Sequence, residues 1–128
     1  MRVLKVTLLI NLERLVGKDK LNEAKEAVLK ALMTDARGIV VYKSLEFGRL
    51  VKIEGHSIID LSIDDDKGIA EVKILNGNDA AASFSNSLEA DVEYLIETVA
   101  KALGVRRSDV VNAIELITTP LSEEQVIL

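Results

Sequence analysis

The sequence predicts an α+β fold built on an antiparallel sheet. Residues 57–76 have the pattern of a β-hairpin, and two other segments space their apolar residues three and four apart, as amphipathic helices do. We expect one domain over residues 1–128. It consists of a β-meander of five to six strands, two main helices at about 20–33 and 87–103 on one face, and a short third helix near 108–117.

The first predicted element is a strand over residues 2–12. From Leu4 onward every second residue is apolar, whereas Lys5, Thr7 and Asn11 fall on the other side. A period of two is typical of a strand with one buried face. Gly17 ends this segment.

A helix is predicted over residues 20–33. Asp19 precedes it and is a candidate N-cap, because its side chain can accept hydrogen bonds from the free N–H groups of a helix start. The apolar residues form a single stripe: Leu21, Ala24, Val28, Ala31 and Leu32. Such a helix needs only one sheet face to cover it.

The middle of the chain predicts consecutive strands. The β-branched run at residues 39–42 indicates a strand buried on both faces. Residues 49–54 alternate polar and apolar after a turn at Gly48. The hairpin arms are residues 56–63 and 69–75, joined by an Asp-Asp-Lys-Gly turn.

A second turn at residues 76–79 precedes the long helix. Residues 80–84 are expected to form a short strand before it. The helix itself begins near Asn86, whose spacing from Glu89 matches a capping box, and it stops at Gly104. Its apolar stripe comprises Leu88, Val92, Leu95, Ile96, Val99 and Leu103.

The last predicted element is the short helix near 108–117, capped by Ser108 and ended by Pro120. Its apolar side consists of Val110, Ala113, Ile114 and Ile117. The apolar residues 126–128 either dock on the domain or serve as a contact surface.

Composition excludes several classes of protein. Hydrophobic residues make up 48% of the chain, which fits a packed globule and not a disordered one. The absence of cysteine excludes disulfides, thiolate metal sites and a cysteine nucleophile. Because no apolar run has the length of a membrane span, we expect a soluble, cytoplasmic protein without a membrane partner. No phosphate-loop pattern is present, and no cofactor is predicted.

The net charge of −5 disfavours binding of nucleic acid over the whole surface. Residues 1–34 carry seven basic and four acidic groups, whereas residues 80–128 carry three and eight. Regions of opposite charge favour self-association. Abundant Glu and Lys with little Gln are typical of thermophilic proteins.

Residues 35–76 resemble a small uncharacterised prokaryotic family of β-meander domains. The matching residues are Asp35-Ala36, Tyr42, Ile58-Ile59-Asp60-Leu61, Asp64-Asp65-Asp66-Lys67-Gly68 and Val72-Lys73-Ile74-Leu75. The chain departs from the family pattern at residues 71–73, where Glu-Val-Lys stands instead of Gly-Ile-Glu. It also adds a strand and a helix in front. The resemblance implies a fold and no established activity.

An acidic group at Asp60, Asp64, Asp65 and Asp66 is a candidate cation site, since hard cations need several oxygen ligands. The spacing of a calcium loop is absent, and aspartates in turns usually bond their own backbone. His56 and Ser57 are adjacent, so on a strand they point to opposite faces and cannot form a nucleophile–base pair. We therefore predict no catalytic and no metal-binding residue.

Residues 98–114 carry the alternative function. Their register resembles a helix-turn-helix, with Ala100, Gly104, Val110 and Ala113 at the usual positions and Leu103 and Val105 packed inside. Arg106, Arg107 and Ser108 would then start a recognition helix and contact phosphates and bases. However, a pair of helices that merely packs on a sheet has the same register, and the acidic residues nearby repel phosphate.

The sequence thus favours a non-enzymatic interaction or ligand-binding module of unknown ligand. The sheet face away from the helices should hold Lys5, Thr7, Glu71 and Lys73 together with Val3 and Leu9. This partly apolar face, and edge strands that no proline protects, predict a homo-oligomer, most simply a dimer. The alternative is a DNA-binding transcriptional regulator that uses residues 98–114.

Overall fold

The computed structural model describes residues 2–78 and 81–121. Its elements in chain order are β1 (Arg2–Asn11), α1 (Leu12–Val16), a 3-10 turn (Lys18–Lys20), α2 (Leu21–Thr34), β2 (Ile39–Ser44), β3 (Arg49–Glu54), β4 (Ser57–Asp64), β5 (Ile69–Asn78), α3 (Ala81–Leu103), α4 (Arg107–Asn112) and β6 (Ile114–Leu121). Among the helices described, none combines the length and the apolar character needed to cross a membrane.

The six strands form one antiparallel sheet in the order β2-β3-β4-β5-β1-β6. Strands β2 to β5 are a meander, and β1 pairs with both β5 and β6. The predicted hairpin is the β4–β5 pair, in which Ser57 lies opposite Asn76 and Asp64 opposite Ile69. The α+β fold predicted from the sequence is therefore confirmed.

The core lies between one face of the sheet and the helices. The inward residues of β1, Val6, Leu8 and Ile10, are buried, and every second residue of β4 and β5 is buried with them. From the helical layer, α2 contributes Val28, Leu29 and Leu32, and α3 contributes Leu95 and Val99. Helix α2 lies within one residue of its predicted range. The period of the apolar residues thus identified the buried faces correctly.

Strand β2 corrects one prediction. It lies at the edge of the sheet, and Ile39, Val41 and Tyr42 are exposed instead of buried on both faces. A register shift at Val41 interrupts its pairing with β3. A β-branched run fits any extended segment, so the pattern does not distinguish an edge strand from a central one.

The beginning of α3 corrects a second prediction. The helix starts at Ala81, five residues before the predicted cap at Asn86, and residues 81–84 are helical instead of a strand. The remaining residue of that predicted strand, Ala80, lies outside the described residues. Alanine has the highest helix propensity of all residues, which favours an early start here.

The third helix is also shorter than predicted. It covers only Arg107–Asn112, and residues 114–117 belong to β6. The β-branched Ile114 and Ile117 suit a strand, and β1 offers a free edge for pairing, where Leu8 lies opposite Leu116. The N-cap residues also differ from the predicted ones. The N-cap of α2 is Lys20 and not Asp19, and the N-cap of α4 is Arg106 and not Ser108.

Candidate functional site

The sheet face turned away from the helices, which we call the helix-free face, carries a row of apolar side chains. Ile39, Ile53, Ile58 and Leu75 are successive cross-strand partners on β2, β3, β4 and β5. Ile39, Ile53 and Ile58 are 69%, 42% and 43% exposed. Contiguous exposed apolar residues of this kind are typical of protein contact surfaces. We call this row the apolar row.

A second row on the same face is charged near its middle. Its cross-strand partners are Tyr42, Val51, Asp60, Lys73, Thr7 and Ile117. Asp60 is 3.0 Å from the Arg49 guanidinium, and Lys73 is 3.3 Å from Glu71. Charges of opposite sign therefore alternate across β3, β4 and β5 at the centre of the helix-free face.

Most of the residues expected on this face are there. Lys5, Thr7, Leu9, Glu71 and Lys73 all alternate with buried neighbours and point away from the helices. Val3 has a side chain outside the described part. The face is therefore partly apolar, as the sequence predicts.

A network of buried polar side chains lies directly behind the apolar row. Glu54, Ser57 and Asn76 are cross-strand partners on the inner face, and each is the chain neighbour of a residue in the apolar row. Ser57 donates a hydrogen bond to Asp91 of α3. Asn76 Nδ2 donates to Ser57 Oγ at 2.6 Å and to Ser87 Oγ at 3.1 Å. The network thus ties α3 to the ends of β4 and β5.

Arg37 joins this network to the aromatic ring of Tyr94. Its Nε lies 3.2 Å from Glu54 Oε1, and its Nη2 lies 3.8 Å from Asp91 Oδ1. The guanidinium carbon is 4.7 Å from the Tyr94 ring centroid, which is a cation–π distance. Arg37 therefore balances two carboxylates while packing on an aromatic face.

Lys52 is a second fully buried ionisable residue of the network, besides Asp91. Its ammonium group donates to the Leu32 carbonyl at 2.8 Å and to Tyr94 Oη at 2.9 Å, and Asp35 O lies at 3.5 Å. Burial lowers the pKa of Lys52, since removal from water disfavours the charged form. The three acceptors compensate for this cost.

Burial also changes the pKa of the two α3 residues in the network. It raises the pKa of Asp91 to about 6; the hydrogen bond from Ser57 opposes this shift and the nearby Glu54 adds to it. Burial is likewise the main reason why the pKa of Tyr94 is raised. Ser57 donates its proton to Asp91 and both side chains are buried, so this hydrogen bond holds the sheet against α3.

Three of the four aspartates in the candidate cation site, Asp60, Asp64 and Asp65, have partners within the fold. Asp64 Oδ1 accepts from the backbone N–H of Asp66 at 3.0 Å and of Lys67 at 3.2 Å. Asp65 lies 3.4 Å from Lys25 Nζ on α2. Asp60 faces Arg49 on the helix-free face. In residues 2–78 and 81–121, no three acidic or histidine side chains are grouped as a metal site would need.

His56 and Ser57 lie in different environments, one exposed to solvent and the other buried. His56 is exposed in the β3–β4 turn, where its carbonyl accepts from the Gly77 N–H at 3.2 Å, whereas Ser57 is buried against Asp91. The structure therefore separates the two residues that are adjacent in the sequence.

Both arginines of the helix-turn-helix-like segment have acidic partners. Arg106 Nη2 lies 3.0 Å from Asp109 Oδ1, and Arg107 pairs with Glu93 of α3. Ser108 is exposed on α4. The apolar register of this segment packs into the core, since Ala100, Val110 and Ala113 are all buried.

Most residues of the buried network were not predicted from the sequence. Lys52 lies two residues after the buried Leu50, and Asn76 lies two residues after the buried Ile74, so both are on the buried face of a strand. Asp91 lies three residues after the buried Leu88, on the buried side of α3. A polar residue that the periodicity of its strand or helix assigns to the apolar face was the signal that could have identified these positions.

No family model matches this chain, and none of the curated proteins matches it either. The resemblance of residues 35–76 to the β-meander family therefore stays a prediction.

Proposed function

We propose that this protein is a non-enzymatic interaction module and that it forms homo-oligomers through its helix-free face. The observation that carries the proposal is the apolar row on β2 to β5. These four side chains lie on strand positions that would normally be polar, since they face away from the core. Burial against a partner removes their apolar surface from water.

The rigidity of the surface supports the proposal. Arg37 pairs with Glu54, and Asp91 accepts a hydrogen bond from Ser57. Asn76 donates to Ser57 and to Ser87 of α3, so the strand ends next to the apolar row are each bonded from behind. A surface that is ordered before binding loses less conformational entropy on association. A contact module benefits from this arrangement.

The test is the mass of the protein in solution over a micromolar concentration range, measured by light scattering. We expect the wild type to associate, and Ile58→Asp and Leu75→Asp to remain monomeric because each would place a carboxylate against apolar side chains in the contact. Asn22→Asp on the exposed side of α2 adds the same charge and should leave the mass unchanged. A wild type that stays monomeric, or association that survives both apolar-row substitutions, would refute the proposal.

The alternative, a DNA-binding regulator that uses residues 98–114, is favoured by one observation. Helices α3 and α4 meet at Gly104, whose positive φ of 66° provides the turn of a helix pair. Against it, α4 has only six residues, and the arginines that would contact phosphate are paired with acids. A duplex-binding assay separates the two functions.

A further inference from the structure

We infer that the occupant of the helix-free face is a second copy of this chain, stacked sheet on sheet about a two-fold axis that runs parallel to the strands between β4 and β5. This inference rests on the proposed function and specifies the symmetry and the geometry of the contact. It predicts which side chains meet across the contact, so it can fail while the proposed function survives.

The axis follows from the strand order. In the order β2-β3-β4-β5-β1-β6, three strands lie on each side of the line between β4 and β5, which we call the midline. A two-fold axis along the midline therefore superposes the full widths of the two sheets. Each β4 then lies over the β5 of the other chain. Stacked sheets of this kind pack about 10 Å apart with their strands within about 30° of each other.

The registers determine the contacts next to this axis. Ile58 is the cross-strand partner of Leu75, and Asp60 is the partner of Lys73. Rotation about the midline exchanges the partners, so Ile58 meets Leu75 of the second copy and Asp60 meets Lys73 of the second copy. Each contact occurs twice by symmetry. Two apolar contacts and two ion pairs thus surround the axis.

The charges of the helix-free face suit a second copy better than a strongly charged partner. Its basic residues are Lys5, Arg49 and Lys73, and its acidic residues are Asp60, Asp64, Glu71 and Glu115. These nearly cancel, whereas the whole chain has a net charge of −5. Two copies can therefore approach through this face without the repulsion that their net charges cause elsewhere.

A two-fold axis along the apolar row is less favourable. It would place Lys5, the next cross-strand partner after Leu75, against Lys5 of the other copy. It would also place Asp60 over the β3–β4 turn of the copy, because β4 begins at Ser57, one residue before Ile58. The midline axis instead overlaps the strands along their whole length, on a sheet of six strands that is roughly 29 Å across at the usual strand spacing. This width suits a standard interface of about 800 Å² per partner.

The test uses charge reversal in two separate chains. Asp60→Lys faces Lys73 twice in its own dimer, and Lys73→Glu faces Asp60 twice, so each variant alone should associate at least about tenfold more weakly than the wild type. When the two variants are mixed, every contact across the midline regains opposite charges. We expect heterodimers with an affinity close to that of the wild type, measured by sedimentation with one variant labelled.

The matched controls are Glu89→Lys and Lys101→Glu, which make the same charge changes on exposed positions of α3. These two variants should dimerise like the wild type and show no preference for each other. Circular dichroism melts confirm that each variant is folded. Damage confined to one sheet would persist on mixing, so recovery on mixing shows that residues 60 and 73 lie close together across the contact.

The possible results separate the two proposals. If Ile58→Asp abolishes association but the mixed charge variants do not recover it, the midline geometry is wrong and the helix-free face remains the contact. If charge reversal has no effect on the mass, the geometry is also wrong. If the wild type does not associate at all, both proposals fail.

Discussion

The ammonium group of Lys52 donates a hydrogen bond of 2.9 Å to the hydroxyl of Tyr94 in the layer between the sheet and the helices. The same ammonium group donates to the Leu32 carbonyl, which belongs to the last turn of α2. Carbonyls there have no partner within the helix, and a cation is favoured at a helix C-terminus. Lys52 therefore connects β3, the end of α2 and α3 through one buried charge.

Removing either partner of this pair should destabilise the fold. Tyr94→Phe deletes an acceptor of a charged donor, and Lys52→Met leaves the Leu32 carbonyl and the Tyr94 hydroxyl without their donor. We expect each to lower the free energy of unfolding by about 1.5–3 kcal/mol, measured by urea denaturation. The double variant should cost less than the sum of the two, because the second change removes a group already deprived of its partner.

The control for this cycle is Lys101→Met at an exposed position of α3, which should change the stability by less than about 0.5 kcal/mol. Strict additivity of Tyr94→Phe and Lys52→Met would show that the two groups do not interact.

Stability should depend on pH through Asp91. Its pKa is raised to about 6 in the folded protein from an ordinary value of 3.8, mainly by burial. The protonated form is therefore favoured by folding, and the stabilisation it contributes is complete below 3.8 and is lost as the pH rises through about 6. Relative to Asp91→Asn, the wild type should lose about 1–2 kcal/mol between about pH 4 and about pH 8.

A second variant checks the cause of this pH dependence. Ser57→Ala removes a hydrogen bond that lowers the pKa of Asp91, so the loss of stability should move to higher pH. The measurement is the free energy of unfolding in urea at a series of pH values. A constant difference between the wild type and Asp91→Asn at every pH would contradict the assignment.

Among the described glycines with a positive φ, Gly48 should tolerate a side chain least. It has a positive φ of 65°, and a Cβ there would lie 2.5 Å from the Ile63 carbonyl oxygen. Gly48→Ala should therefore cost about 2–4 kcal/mol of stability in thermal or urea unfolding. Gly104 has a similar φ of 66°, but apart from its two chain neighbours no residue comes within 4 Å of a Cβ there, so Gly104→Ala should cost only about 1–2 kcal/mol. If the two substitutions destabilised the protein equally, the backbone near Gly48 would have moved away to relieve the contact with the Ile63 carbonyl oxygen.

The DNA-binding alternative makes the opposite prediction from the proposed function. Because Arg106 and Arg107 are paired with Asp109 and Glu93, we expect random duplex DNA at low salt to bind weakly or not at all. The combined substitution Arg106→Ala and Arg107→Ala should leave fluorescence anisotropy with labelled duplex unchanged. Binding by the wild type that disappears in this variant would instead support a regulator that uses residues 98–114.

Local patterns predicted the buried faces of the main elements. The alternation in β1 and the hairpin of β4 and β5 require one face inward, and the stripe of α2 requires one side against the sheet. The ends of elements were less predictable, since residues 81–84 and 114–117 have sequences compatible with both helix and strand. In both places the rest of the fold selected the conformation.

The candidate site, like the fold, was predictable from the sequence only in part. The sequence alone determined that the helix-free face would be partly apolar, because strand periodicity assigns Leu9, Lys73 and their neighbours to it. Only the tertiary structure decided that Ile53, Ile58 and Leu75 form one continuous row, since that depends on the register of three strands. It also decided the partners of Lys52, which lie 20 residues before it and 42 residues after it. Periodicity reports which way a side chain points, whereas its contacts depend on segments that meet only when the chain has folded.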